Sequence, residues 1–260
     1  MDITNVKALY FTGAGTTKQV TERFVQACGL PADLFDVTPF GAEVPTCTAH
    51  DLAVFAVPSY GGRIPAPMAE RISRISGDNT PAVLLVTYGN RAIDDTLIEL
   101  ADAVSERGCI PVAGCAVVAH HSLMVNVAEG RPDADDLAVL DACAAGVVER
   151  LGAAATVRDA ELGTIPGNRP YRAFGGVPFH PETAADVCVS CGACAAQCPV
   201  RAIDPAAPST TDIERCISCM RCIAACPVGA RSISGGDALT AARTAFAEKC
   251  AQRQESYTVM

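Results

Sequence analysis

Residues 188–199 read Cys188-Val189-Ser190-Cys191-Gly192-Ala193-Cys194-Ala195-Ala196-Gln197-Cys198-Pro199, and the pattern returns as Cys216-Ile217-Ser218-Cys219-Met220-Arg221-Cys222-Ile223-Ala224-Ala225-Cys226-Pro227. Each cysteine of the first run has a counterpart 28 residues later, so the stretch is an internal repeat of one metal-binding unit. Three thiolates at intervals of three can wrap three corners of a cubane while the intervening backbone amides point at its sulfides. Zinc needs only two CxxC knuckles, and it leaves unexplained both the third cysteine of each run and the Cys-Pro that follows. A disulfide framework is disfavoured because a reducing cytosol keeps thiols free.

The fourth corner comes from the cysteine before proline. In chains that hold two such clusters this residue ligates the other cluster. The expected ligand sets are therefore Cys188, Cys191, Cys194 and Cys226 for one 4Fe-4S cluster, and Cys198, Cys216, Cys219 and Cys222 for the second. Crossed ligation ties the two halves of the repeat together. No Phe, Tyr or Trp occurs from Pro181 to Ala245, so the core here is expected to be cluster plus Val, Ile and Ala.

Working outward, the whole chain has 260 residues, half of them hydrophobic and 19% charged, which suits one large or two modest domains and argues against disorder. The 29 acidic residues outnumber the 20 basic ones and leave a net charge of -9. That balance disfavours a partner with a phosphate backbone, so nucleic acid is not expected. The longest apolar stretches, such as Val112 to Ala119, are far shorter than the ~20 residues that span a bilayer. The opening Met1-Asp2-Ile3-Thr4-Asn5-Val6-Lys7 has no basic segment followed by an apolar one, and the expected location is the cytoplasm.

Before the cysteines, short apolar runs alternate with helical patterns, the mark of a parallel sheet covered on both faces. Strands are predicted over 6–11, 33–36, 52–57, 82–87 and 110–118, and helices over 17–27, 66–75, 94–107 and 134–151. Five strands with crossovers make a doubly wound α/β domain, whose ligand sits outside the carboxyl ends of the strands. Three loops follow those ends. Thr12-Gly13-Ala14-Gly15-Thr16-Thr17 runs from strand into helix and reads as a phosphate cradle, with hydroxyl donors, glycines and a helix N-terminus. It is neither a dinucleotide fingerprint, since Lys18 stands at the third glycine position, nor a Walker loop, since Gln19 follows that lysine. A hydroxyl-lined turn suits the terminal phosphate of FMN. Pro58-Ser59-Tyr60-Gly61-Gly62-Arg63 and Thr87-Tyr88-Gly89-Asn90-Arg91 each place a tyrosine beside glycine, where a ring can lie on an isoalloxazine and amides can reach its polar edge.

These residues, with Ile64-Pro65, Asp94-Asp95, Ile165-Pro166-Gly167-Asn168 and both cysteine runs, resemble the flavodoxin/bacterial-ferredoxin fusion proteins common among anaerobes, over nearly the whole chain. The resemblance implies a flavodoxin-like five-stranded parallel sheet in the order 2-1-3-4-5 at 1–151, a packed linker at 152–180, a two-cluster ferredoxin domain at 181–236 and a C-terminal helix over 237–260. It implies FMN and two 4Fe-4S clusters as cofactors. Similar proteins usually carry Thr and Asn where this chain has Ala14 and Thr16.

The irregular stretch from Leu151 to Asp186 holds Tyr171, Phe174 and Phe179, which suggests that it packs against a surface. His120 and His121 follow the fifth strand as a loop or cap element, or as a proton source for reduced flavin. Cys28, Cys47, Cys109, Cys115, Cys143 and Cys250 lack metal spacing and read as free, mostly buried thiols. Up to Pro178, 13 basic and 21 acidic residues give -8, which favours a redox partner with a basic docking face. That partner is expected to be a ferredoxin-reducing or ferredoxin-oxidising enzyme; a homodimer is left open. The function read from these parts is electron transfer between the clusters and FMN, coupling one- and two-electron partners. The alternative is an FMN-dependent reductase of a small organic substrate, served by His120, His121 or Arg63.

Overall fold

The computed structural model describes residues 1–260. Its larger unit is built on the strands β1 (Asn5–Tyr10), β2 (Ala32–Asp36), β3 (Asp51–Pro58), β4 (Thr80–Tyr88) and β5 (Cys109–Val118). The sequences of β3, β4 and β5 are almost continuously apolar and are buried along nearly their whole length, as strands covered on both faces must be. The covers are α1 (Thr16–Cys28), α2 (Ala66–Ser73), α3 (Thr96–Ser105) and α4 (Ala134–Ala153). Val20 and Phe24 of α1 join Leu140, Val147 and Leu151 of α4 in one layer of core, while Met68 and Ile72 of α2 join Leu97, Leu100 and Val104 of α3 in the other. Apolar residues three and four apart share one helix face, which is why each helix buries a single stripe. α4 starts on a closed capping box: Asp133 accepts from the amides of Asp135 and Asp136, and Asp136 accepts from Asp133 N. Such a cap stabilises by about 1 kcal/mol.

The five strands run parallel in the order β2-β1-β3-β4-β5, the flavodoxin-like order, with its ligand crevice where the order reverses between β1 and β3.

The smaller unit repeats in its backbone as in its sequence. Two single-turn helices, α5 (Ala193–Ala196) and α6 (Arg221–Ala224), stand at the spacing of the cysteines. Left-handed residues recur at that spacing too: Ser190 with Ser218 (φ 52° and 51°) and Gly192 with Met220 (φ 74° and 65°). β6 (Pro181–Thr183) and β7 (Arg231–Ile233) pair antiparallel and close the ends of the unit on each other.

The C-terminal segment departs from the single helix expected over 237–260. α7 (Gly236–Lys249) stops at Lys249, and β8 (Tyr257–Val259) adds to β5 as a sixth, antiparallel strand of the large sheet. Tyr, Thr and Val are strand formers, and the outer edge of β5 carries peptide groups that another strand satisfies. Ser256 locks the junction by accepting from Val118 N at 2.9 Å and bonding Asp136 Oδ1 at 2.5 Å.

The two units are docked through named contacts. Arg71, almost wholly buried, donates to the carbonyls of Pro39 and Pro199, both at 3.1 Å, and Arg221 pairs with Asp36 at 2.7 Å. Between them the linker is tied to α3 and the loop before it: Asp95 accepts from Asn168 N at 2.8 Å and Arg172 N at 2.7 Å, and Asp102 accepts from Arg169 and Tyr171. No helix is long and apolar enough to cross a membrane.

Candidate flavin cleft and cluster sites

A cleft of about 260 Å³ opens at the carboxyl ends of β1, β3, β4 and β5. Thr12, Gly13, Ala14, Thr16 and Thr17 line it from the first loop, Pro58, Ser59, Tyr60, Gly61 and Gly62 from the second, and Thr87, Tyr88, Gly89 and Arg91 from the third. The loops hold one another in place. Thr38 Oγ1 accepts from Thr12 N at 2.8 Å, the Thr17 and Thr87 hydroxyls bond at 2.8 Å, and Ser59 bonds Thr96 at 2.7 Å. Gly15 (φ 106°) makes the turn into α1 with its amide on Thr12 Oγ1 at 3.1 Å; it shapes the cradle without lining the cleft. The first turn of α1 carries no acid, so its amides face the cleft with their partial positive charge uncancelled. The hydroxyls of this loop and that helix end suit an oxygen dianion.

Two residues predicted for this site are used elsewhere. The side chain of Asn90 lies outside the cleft lining: its amide donates to the carbonyls of Cys250 and Gln252 at 2.8 and 3.0 Å and its oxygen accepts from Gln254 N, so it anchors the segment between α7 and β8. Arg63 is clamped by Glu99 at 2.7 Å, donates to Arg172 O at 2.8 Å and lies 5.1 Å from the centre of the Tyr171 ring. Both side chains are committed to partners within the protein. Tyr88 does line the cleft, with its hydroxyl on Glu255 O at 3.2 Å.

His121 also lines the cleft, yet its ring is committed. Its Nδ1 accepts from the amides of Leu123 and Met124, both at 3.2 Å, which leaves the proton on Nε2. Burial, helped by the neighbouring His120, pushes its pKa down to about 4. The ring is neutral at neutral pH and caps the turn that carries Leu123 and Met124. His120 Nε2 bonds Val125 O at 2.7 Å.

The eight repeat cysteines ring two further, smaller cavities. One is lined by Cys198, Cys216, Cys219 and Cys222, the other by Cys188, Cys191, Cys194 and Cys226, the crossed sets expected from the spacing. The donor chemistry fits an iron-sulfur group: four thiols surround each space. Backbone amides already point at the sulfurs, from Ala202 N to Cys198 and from Ala230 N to Cys226, both at 3.2 Å, and from Ser218 N to Cys216 at 3.4 Å. The remaining six cysteines are all buried, and burial raises Cys28 and Cys109 to about 12 and Cys47 to about 11. They are inert thiols of the core.

The cavity ringed by Cys198, Cys216, Cys219 and Cys222 abuts the cleft. Ile217 lines both, and Ser218 beside it lines the cleft. The Cys219 carbonyl faces Gly13 and the Tyr60 hydroxyl, which is 3.5 Å away. A Cβ on Gly13 would stand 1.8 Å from that carbonyl oxygen, so glycine is needed here for the approach of the second unit. The local pattern suggests an anion contact for this glycine and contains nothing about a carbonyl some two hundred residues away. Phe174, Val177, Leu123, Met124 and Phe246 add apolar wall, and the sequence pattern does not point to them: Phe174 and Val177 lie in the linker, Leu123 and Met124 in the loop after β5, and Phe246 in a helix.

Residues 187–230 match the family model of the 4Fe-4S dicluster domain. The chain is thus a flavodoxin-like α/β unit joined to a ferredoxin-type 4Fe-4S unit. No curated protein matches it. Among solved structures, a flavodoxin from Streptococcus pneumonia TIGR4 is 14% identical, with 56% of this chain and 98% of that one covered and a TM-score of 0.39. A short-chain flavodoxin associated with a non-canonical PDU bacterial microcompartment is 11% identical over 56% and 98%, with a TM-score of 0.39. An azoreductase from Bacillus anthracis str. Sterne is 11% identical over 56% and 99%, with a TM-score of 0.37.

Proposed function

We propose that the chain is an electron-transfer protein that binds FMN in the cleft and two 4Fe-4S clusters in the cysteine-ringed cavities, and couples one-electron to two-electron redox partners. A 4Fe-4S cluster exchanges one electron at a time, whereas a flavin can hold one or two. Thr12, Thr16 and Thr17 with the α1 amides would hold the phosphate, and Tyr60, Tyr88 and the glycine backbone of the second and third loops would flank the ring. Cys198, Cys216, Cys219 and Cys222 would hold the cluster beside the flavin; Cys188, Cys191, Cys194 and Cys226 would hold the outer one.

One observation carries this reading: Ile217, between two of the ligating cysteines, is a wall of both the cleft and the inner cysteine cavity. The Cys219 carbonyl seated on Gly13 keeps the two spaces adjacent. Cys191 at the other cavity is exposed, which provides a port for a redox protein. The reductase alternative draws less support, because Arg63 is bound to Glu99 and His121 has both ring position and proton assigned.

Anaerobic purification followed by iron, sulfide and flavin analysis tests the assignment. About eight irons and one FMN per chain are expected; two zincs would end it. Reductive titration should then bleach cluster and flavin absorbance in one sample. Turnover of a small organic substrate by the photoreduced protein alone would favour the reductase.

A further inference from the structure

The repeat places Ile203 and Arg231 at equivalent positions. Both are only 3% exposed, and each lines a cysteine cavity: Ile203 the inner one, Arg231 the outer one. A guanidinium therefore stands where the sister half has a buried aliphatic chain. Its hydrogen bonds run to Pro208 O at 2.5 Å, Thr211 Oγ1 at 2.9 Å and Thr210 O at 3.4 Å, all uncharged acceptors. Its fourth polar contact is Cys222 Sγ at 3.9 Å, a ligand of the inner set. Nε has no partner at all. The side chain thus touches both cavities and meets no carboxylate.

A buried cation without a counter-charge is strongly unfavourable, and folded proteins pair such groups. Nothing in the polypeptide pairs this one. A 4Fe-4S cluster with four thiolates carries about -2 when oxidised and one more negative charge when reduced. Resting on the two-cluster reading above, we propose that Arg231 is the fixed internal counter-charge of both clusters and sets their reduction potentials. On reduction each cluster takes one electron and no proton, so the added negative charge stays in place and is attracted to the guanidinium. The reduced state gains more than the oxidised one, and both potentials lie higher than they would without Arg231.

Potentiometric titration with dithionite, followed by electron paramagnetic resonance, tests this on the full-length holoprotein, Arg231→Gln and Arg231→Lys. Iron and sulfide are measured on each sample. Arg231→Gln should retain its iron and shift both cluster couples to lower potential, while Arg231→Lys stays near the wild-type values. If Arg231→Gln takes up no iron, loading of Arg231→Lys with wild-type potentials still supports the charge role. Unchanged potentials in a fully loaded Arg231→Gln would overturn the inference. So would a lysine variant that shifts as far as glutamine, or a failure of both variants to load, since a charge role is met by lysine. Wild-type protein without iron and sulfide would instead defeat the cofactor reading itself.

Discussion

The two halves of the cysteine repeat share their spacing, their single-turn helices and their left-handed residues, yet they live in different surroundings. Cys191 is exposed, whereas its counterpart Cys219 is buried in the core of the larger unit. Val189 is 62% exposed, whereas its counterpart Ile217 is a wall of the cleft. The contrast is sharpest at the left-handed position. Gly192 meets it with no side chain; Met220 meets it with φ 65° and a side chain that is only 3% exposed, packed with Leu123 and Leu239. A left-handed non-glycine residue costs about 1–2 kcal/mol, while burying a methionine side chain stabilises by about 1.5–3 kcal/mol. Burial offsets the strain only because a second surface is there to bury against. A repeat thus diverges where it docks and stays permissive where it faces water.

The largest break in this comparison should come from Met220→Ala, which keeps the strain and removes the packing. Anaerobic denaturant unfolding of the holoprotein, followed by cluster absorbance, should show a loss of about 2–5 kcal/mol. Gly13→Ala forces the inner half off its seat by meeting the Cys219 carbonyl, with an expected cost of about 1–3 kcal/mol. After a reducing pulse, flavin reduction should slow in this variant while iron content is unchanged; an unaltered rate would show that the seat is not what couples the two spaces.

A smaller effect is expected from pH. His121 supports the loop that carries Leu123, and its folded pKa of about 4 lies below the ordinary histidine value of 6.5. The unfolded chain takes up a proton between those values while the folded protein does not. The stability contributed by the neutral ring is therefore full above about 6.5 and is lost as pH falls towards 4. His121→Gln should flatten the stability profile between pH 6.5 and 4.5 in the same unfolding assay. Val189→Ala, on the exposed half, should change stability by no more than about 0.5 kcal/mol. A loss as large as that of Met220→Ala would erase the distinction between the halves.

Much of the site was legible because its signals are local. Thiol spacing reports which sulfurs can surround one cavity, and Gly/Thr turns after apolar runs report where strand ends meet a helix. What escaped is non-local. Asn90 sits in a loop that reads as ligand-facing, but its amide is taken by carbonyls 160 and more residues further on. β8 is three residues long, too short for its alternation to be noticed, and it becomes a strand because β5 has a free edge. Phe246 lies in a helix whose apolar stripe is weak, and only its packing beside His121 brings it to the cleft.

From the order of residues alone came the crossed thiol sets and the alternation of strand and helix, since both depend on intervals along one chain. Which half of the repeat meets the cleft was decided by tertiary structure. The cysteine spacing is the same in both halves and does not say which of them docks; the surface that excludes water from Met220 and Cys219 does.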